Sequence, residues 1–220
     1  AFSLDDCETA ILIVDDAFKS NVGPLRALSK ALRTVIFCGD GEAPEGALSL
    51  EALLSLAAPV EDAFRSGEDL AGVFYTGGTT GFPKGVMLTH TNMASVALSN
   101  ATDQLVMPGG SSLFTAPLFH LAAGAVMLAN LTFGNRSVFV PTFSPVAVLQ
   151  AIQSERVTQA LLVPTMIQML VDYPDLASYD TTGLTNVMYG ASPISEALMT
   201  RALAAFPNAQ FVQGYGMTEL

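Results

Sequence analysis

Short apolar runs bounded by Gly, Pro, Asp or Asn alternate along this chain with stretches whose apolar residues return every three or four positions. The runs at Ala10–Val14, Thr34–Cys38, Gly72–Tyr75, Val86–Leu88, Ser112–Thr115, Ser137–Val140, Val157–Val163, Leu184–Tyr189 and Ala209–Gln213 read as strands. Between them, Leu25, Leu28, Ala31 and Leu32 share one face of a helix after Pro24, and Leu50–Leu56 forms a short second helix. Thr89, His90, Thr91 and Asn92 offer capping side chains for a helix reaching toward Met107. Further helices are predicted from about Leu118, from Pro145 through Ile152, from Pro164 and from Ser195 to Phe206. Strands that alternate with helices predict an α/β fold, with largely parallel sheet covered by helices on both faces. The first unit reads as βαβ.

Parallel sheets collect ligands at the carboxyl ends of their strands, so the residues just past each strand are the candidate chemistry. Four segments qualify: Tyr75–His90, Ala116–His120, Gly190–Pro193 and Gln213–Glu219. The first is the most informative. Gly77, Gly78, Gly81 and Gly85 let backbone amides turn into one concavity, while Thr76, Thr79 and Thr80 supply hydroxyl donors. Lys84 is the sole Lys or Arg between Arg65 and Arg136. Together these residues describe a phosphate cradle. It is not the nucleotide-hydrolysing loop that runs Gly-Lys-Ser/Thr into a helix, because Pro83 precedes Lys84 and Gly85 with a strand-like run follows it.

Composition narrows the partners. A net charge of −11 leaves no basic patch for nucleic acid or an anionic membrane. Small molecules are the expected ligands. The apolar stretch from Leu113 to Phe133 is long enough to span a bilayer, but Pro117 and Gly124 interrupt it and its ends lack basic flanks, so a strand and a buried helix are expected instead. Two cysteines, Cys7 and Cys38, are too few for a disulfide framework and are expected as buried filler in a reducing cytoplasm. Half of the residues are apolar and mean hydropathy is +0.45, high for a self-contained domain. The chain is therefore expected to be a piece of a larger protein and to self-associate through uncovered apolar surface.

The run Thr76-Gly-Gly-Thr-Thr-Gly-Phe-Pro-Lys-Gly-Val86 resembles the signature loop of the AMP-forming adenylate-forming superfamily, which includes acyl-CoA synthetases, adenylation domains and luciferases. A Ser more often stands where Gly77 is. Pro117-Leu-Phe-His120, Tyr189-Gly-Ala-Ser-Pro193 and Gly214-Tyr-Gly-Met-Thr-Glu219 are similar to further motifs of that family, in the same order. The resemblance covers nearly all of the chain after about Leu70. It implies one large nucleotide-binding domain over residues 1–220, with a subdivision near Leu70 open, and a small carboxyl-terminal domain lying beyond.

By that resemblance Thr76, Gly77, Gly78, Thr79, Thr80, Gly81 and Lys84 handle the β and γ phosphates of ATP. Gly190, Ala191, Ser192, Pro193, Gly214, Tyr215, Gly216 and Thr218 take the rest of the nucleotide, with Tyr215 stacking on adenine and Thr218 meeting the α phosphate. Glu219 holds Mg2+. His120, Gly124, Gly190, Ala191 and Met217 border the carboxylic acid substrate. The implied reaction makes acyl-AMP and pyrophosphate, after which coenzyme A takes the acyl group; a fatty acid is the expected substrate. An adenylation domain serving a carrier-protein thiol, or a nucleotide-binding module without catalysis, remains the alternative. No side chain acts as nucleophile, so Lys84, Thr218, Glu219 and His120 would serve by neutralising charge and aligning reactants.

Overall fold

The computed structural model describes residues 1–77 and 81–219. The chain divides into two compact units, Ala1–Arg65 with Tyr75–Met87, and Ser66–Phe74 with Leu88–Leu220.

The first unit holds α1 (Phe2–Asp6), β1 (Ile11–Val14), α2 (Val22–Leu28), β2 (Thr34–Phe37), β3 (Leu48–Ser49) and α3 (Leu50–Leu56). β1, β2 and β3 form a parallel three-stranded sheet in that order. The expected βαβ unit is therefore present as β1, α2 and β2. Period-two alternation buries Val14, Val35 and Phe37 with Val22 of α2, while Ile11 and Ile13 on the other face remain 56% and 59% exposed. α2 stops at Leu28, earlier than its apolar spacing predicts. Ser29 turns extended, and Asp5 Oδ1 accepts hydrogen bonds from Ser29 Oγ, the Lys30 amide and the Ala31 amide, which removes those donors from any further helical turn. Leu32 still reaches the core.

β4 (Leu70–Thr76) and β5 (Lys84–Thr89) pair as a separate two-stranded sheet, and the chain changes unit along each of them.

The second unit contains α4 (His90–Thr102), β6 (Ser111–Phe114), α5 (Leu121–Thr132), β7 (Arg136–Phe139), α6 (Pro145–Ser154), β8 (Gln159–Leu162), α7 (Pro164–Val171), β9 (Asn186–Tyr189), α8 (Glu196–Ala205) and β10 (Gln210–Gln213). Its five strands run parallel in the order β10-β9-β8-β6-β7. Successive residues of each strand serve opposite faces. Leu113, Ala160, Leu162, Val187 and Tyr189 join a core with α6, α7 and α8, whereas Phe114, Leu161 and Met188 join one with α4 and α5. Each fully buried aliphatic there, such as Leu149, Ile152, Leu162, Ile167 or Leu170, contributes about 1.5–3 kcal/mol, which makes this double-covered sheet the main stabilising body of the unit.

Helix starts follow their capping chemistry. Thr89 and Asn92 cap α4 reciprocally, Asn92 Oδ1 accepting from the Thr89 amide at 2.9 Å and Thr89 Oγ1 accepting from the Asn92 amide at 3.2 Å. Ser144 and Ser195 accept from the Ala147 and Leu198 amides to open α6 and α8. α4 ends at Thr102 rather than near Met107, because the Asn100 carbonyl takes the amides of both Leu105 and Val106 and Gln104 turns to φ 59°. The apolar stretch Leu113–Phe133 resolves into β6, a turn and α5. Among the described residues no helix is long and apolar enough to cross a membrane. The expectation of buried thiols is corrected: Cys7 and Cys38 are both exposed, Cys7 because it follows α1, which buries no residue, and Cys38 because it lies past the end of β2, beyond the buried Phe37.

Candidate active site

Parallel pairing puts the carboxyl ends of β6, β9 and β10 on one edge of the five-stranded sheet. Three of the four candidate segments leave from that edge. After β9, Gly190 is buried and Ala191, Ser192 and Pro193 are exposed; after β10, Tyr215, Gly216, Met217 and Glu219 are exposed, and Thr218 is half-buried. Tyr215 is 90% exposed, so both faces of its ring are open for stacking on a base.

These two segments are locked together by backbone. The Gly214 amide donates to the Tyr189 carbonyl at 2.8 Å, extending the β9–β10 ladder by one step. A Cβ on Gly190 would stand 2.5 Å from the Gly214 carbonyl oxygen, so only glycine lets the two strand exits run this close. Ala191 takes up the turn at φ +66°, a left-handed conformation that side-chain-bearing residues seldom adopt and that clusters at functional sites. Sequence reading does not find this strain, since Ala carries no turn signal.

After β6 the chain passes through Thr115, whose hydroxyl contacts Met166 Sδ at 3.7 Å at the start of α7. Pro117 then closes a turn in which its carbonyl accepts the His120 amide at 3.2 Å. α5 begins at Leu121 because of that turn, not at Leu118, and His120 is its N-cap residue without a side-chain cap bond. The His120 ring packs against Phe119, centroids 4.7 Å apart, and the residue is exposed rather than a satisfied core histidine. Gly124 accommodates the Leu118 carbonyl, which would lie 3.3 Å from a Cβ there.

The fourth segment does not share this edge. Strand-end reasoning sets all four segments on one sheet edge, and that is corrected: among the described residues β4 pairs only with β5, and the glycine-rich run joins those two strands. A strand pair can present a loop as well as a sheet edge can, which is why strand-end reasoning alone misplaced it. Thr76 ends β4 with its hydroxyl turned to the Lys84 carbonyl at 3.5 Å, and Lys84 opens β5 with an exposed side chain. Gly77 and Gly81 are exposed, and among the described residues no atom beyond their chain neighbours would lie within 4 Å of a Cβ at either. Gly78, Thr79 and Thr80 lie outside the described residues. The short helix α1 reaches the flanks of this run through Asp6 and Phe2, and neither residue stands out in the sequence because five helical positions carry no periodicity.

A family model described as AMP-binding enzyme matches residues 1–220. This chain belongs to the AMP-binding enzyme family. Among its relatives, a feruloyl-CoA synthase from Amycolatopsis sp is 39% identical over 153 residues, covering 69% of this chain and 31% of the relative. The 4-coumarate–CoA ligase 1 of Arabidopsis thaliana is 30% identical over 223 residues, covering 96% of this chain and 39% of the relative. The chain thus spans about a third of the length of these proteins. In solved structures it is similar to the N-terminal domain of FACL13 from Mycobacterium tuberculosis, with TM-score 0.87, 29% identity and coverage of 99% of this chain and 53% of that one.

Family membership turns attention to magnesium. Among the described residues no cluster of three or more His, Cys, Asp or Glu could hold a metal ion on its own. A single exposed carboxylate, Glu219, next to the hydroxyl of Thr218 fits Mg2+ nonetheless, since that ion keeps most of its waters and takes one or two carboxylates plus substrate phosphates.

Proposed function

We propose that this chain is the nucleotide-handling part of an AMP-forming acid–CoA ligase. One observation carries the reading: the backbone-locked pair of segments at the carboxyl edge of β9 and β10 presents an open Tyr215 ring, a Thr218 hydroxyl and the Glu219 carboxylate in succession. A substrate carboxylate oxygen attacks the α phosphorus of ATP, the bond from that phosphorus to the bridging oxygen breaks, and acyl-AMP and pyrophosphate form. The coenzyme A thiolate then attacks the acyl carbonyl and AMP leaves.

In this reading Tyr215 stacks on adenine, while Gly190, Ala191, Ser192, Pro193, Gly214 and Gly216 shape the slot beside it. Thr218 donates to the α phosphate. Thr76, Gly77, Gly78, Thr79, Thr80, Gly81 and Lys84 take the departing β and γ phosphates, Lys84 offsetting charge as pyrophosphate leaves. Mg2+ held by Glu219 and phosphate oxygens would neutralise negative charge there. His120, Gly124 and Met217, with Gly190 and Ala191, border the acid. The names of the sequence relatives support testing hydroxycinnamic acids beside fatty acids, and a cytoplasmic setting suits both ATP and coenzyme A.

The test is exchange of labelled pyrophosphate into ATP by the protein expressed with all the flanking sequence of its gene, against a panel of fatty and hydroxycinnamic acids. Acid-dependent exchange, followed by AMP release on adding coenzyme A, is expected. Exchange with release only on adding a carrier-protein thiol would instead identify an adenylation domain. Nucleotide binding without exchange for any acid would leave only a binding module.

A further inference from the structure

The glycine-rich run is held at both flanks by one short helix. Tyr75, next to last in β4, donates its hydroxyl to Asp6 Oδ2 at 2.6 Å. Phe82, two residues before β5, stacks on Phe2 with ring centroids 4.9 Å apart and planes 19° from parallel. Phe2 and Asp6 are the first and last residues of α1. All of these residues lie in the first compact unit.

α1 has no reason to exist for its own sake. Its five residues include none that is buried, and an isolated helix that short does not persist in water. It is fixed instead by Asp5, whose Oδ1 accepts from Ser29 Oγ at 2.6 Å, the Lys30 amide at 2.8 Å and the Ala31 amide at 3.0 Å, all at the turn between α2 and β2. Adjacent carboxylates thus do different jobs. Asp5 ties the helix to the βαβ unit, and Asp6 ties the helix to the glycine-rich run.

We propose that α1 is a strut that positions the glycine-rich run for the adenylation step, with Phe2, Asp6, Tyr75 and Phe82 as positioning residues. The proposal rests on the adenylation reading above. A glycine-rich segment loses more conformational freedom than any other when it orders around an anion. Holding both flanks in advance, at Tyr75 and at Phe82, lowers the entropic cost of closing the backbone around the phosphates. The benefit falls only where the β and γ phosphates are present. Forming acyl-AMP depends on the strut; thiolysis of acyl-AMP, from which pyrophosphate has gone, does not.

The experiment compares Asp6→Asn, Tyr75→Phe and Phe82→Leu with the unaltered protein in both half-reactions. Each variant is expected to lose about fivefold in pyrophosphate exchange, the size of a discounted charge-assisted hydrogen bond or an exposed ring pair. Thioester formation from supplied acyl-AMP should stay within about twofold, and the double variant Asp6→Asn/Tyr75→Phe should be no worse than either single one. A merely structural role would lower both half-reactions alike and would overturn the proposal, as would unchanged exchange. A second readout is independent of catalysis: tryptic cleavage after Lys84, followed by mass spectrometry, should quicken in Asp6→Asn relative to cleavage after Arg201. If the unaltered protein exchanges pyrophosphate with no acid, the adenylation reading fails on its own account. The strut then stands or falls on whether that cleavage quickens.

Discussion

Replacing Gly190 with Ala sets a single methyl against a backbone atom. The new Cβ would lie 2.5 Å from the Gly214 carbonyl oxygen, where ordinary contact begins at 3.4 Å, so the segment after β10 must retreat by about 0.9 Å. The atom in the way is main chain and cannot rotate aside. Retreat pulls on the 2.8 Å bond from the Gly214 amide to the Tyr189 carbonyl and moves Tyr215, Thr218 and Glu219 with it. Overpacking of this kind costs about 1–3 kcal/mol, which for a chain of this size lowers the melting temperature by roughly 2–4 °C per kcal/mol. A displacement near 1 Å at aligned reacting groups costs on the order of 100-fold in rate. Pyrophosphate exchange should therefore collapse in a protein that is still folded at 25 °C. Ala191→Gly is the control, because it relieves the φ +66° strain, roughly 1–2 kcal/mol, against a comparable loss to the flexibility of unfolded glycine. It should leave stability and exchange nearly unchanged. Full exchange in Gly190→Ala, or an equal loss in Ala191→Gly, would refute the steric argument.

Four further outcomes are expected. Lys84→Ala should cut ATP-dependent exchange at least tenfold with little change in melting, since the side chain is exposed; equal activity would remove the run's one cation from the mechanism. Glu219→Gln should raise the magnesium concentration needed for half-maximal exchange, and an unaltered magnesium titration would leave Glu219 a solvated carboxylate. Asp5, Asp16, Asp172 and Asp180 are all held below the ordinary 3.8, chiefly by hydrogen bonds from Ser29, the Gly41 amide, Gln168 and Thr182 respectively. Their contribution is present above pH 3.8 and lost as pH falls through the depressed values, so urea midpoints should drop on acidification below about 4, and less steeply in Asp5→Asn. The apolar face bearing Ile11 and Ile13 should drive self-association of the isolated 220-residue chain, detectable by light scattering at micromolar concentration and abolished by Ile13→Lys.

Most of the fold was legible because its determinants are local. Thr89 caps α4 in the run that offered capping side chains, Ser49, Ser144 and Ser195 cap helices that periodicity and proline had placed, and the period-two alternation of β6, β8 and β9 reports a sheet covered on both faces. The boundaries that moved are set by hydrogen bonds that apolar spacing does not report. α2 is cut by a carboxylate more than twenty residues upstream, and α4 by a carbonyl that collects two amides. α1 and the two-residue β3 are too short to show any period. Their existence depends on partners that no window of neighbouring residues contains.

The candidate site divides along the same line. Tyr215, Thr218 and Glu219 were readable as chemistry, since a ring, a hydroxyl and a carboxylate announce what they can do. Gly124 and Gly190 announce nothing of the kind, and only the family resemblance set them at the border of the acid, where a missing side chain reads as room for a substrate. In the structure each glycine also makes way for a carbonyl of the protein itself, that of Leu118 or of Gly214. A missing side chain at such a position is therefore a constraint on how closely two loops approach before it is a space for a ligand. The two readings predict opposite rescues. If Gly190 only leaves room, a smaller acid should restore activity to Gly190→Ala; if it sets the spacing of the β9 and β10 exits, no acid will, because the misplaced groups are those proposed to meet ATP.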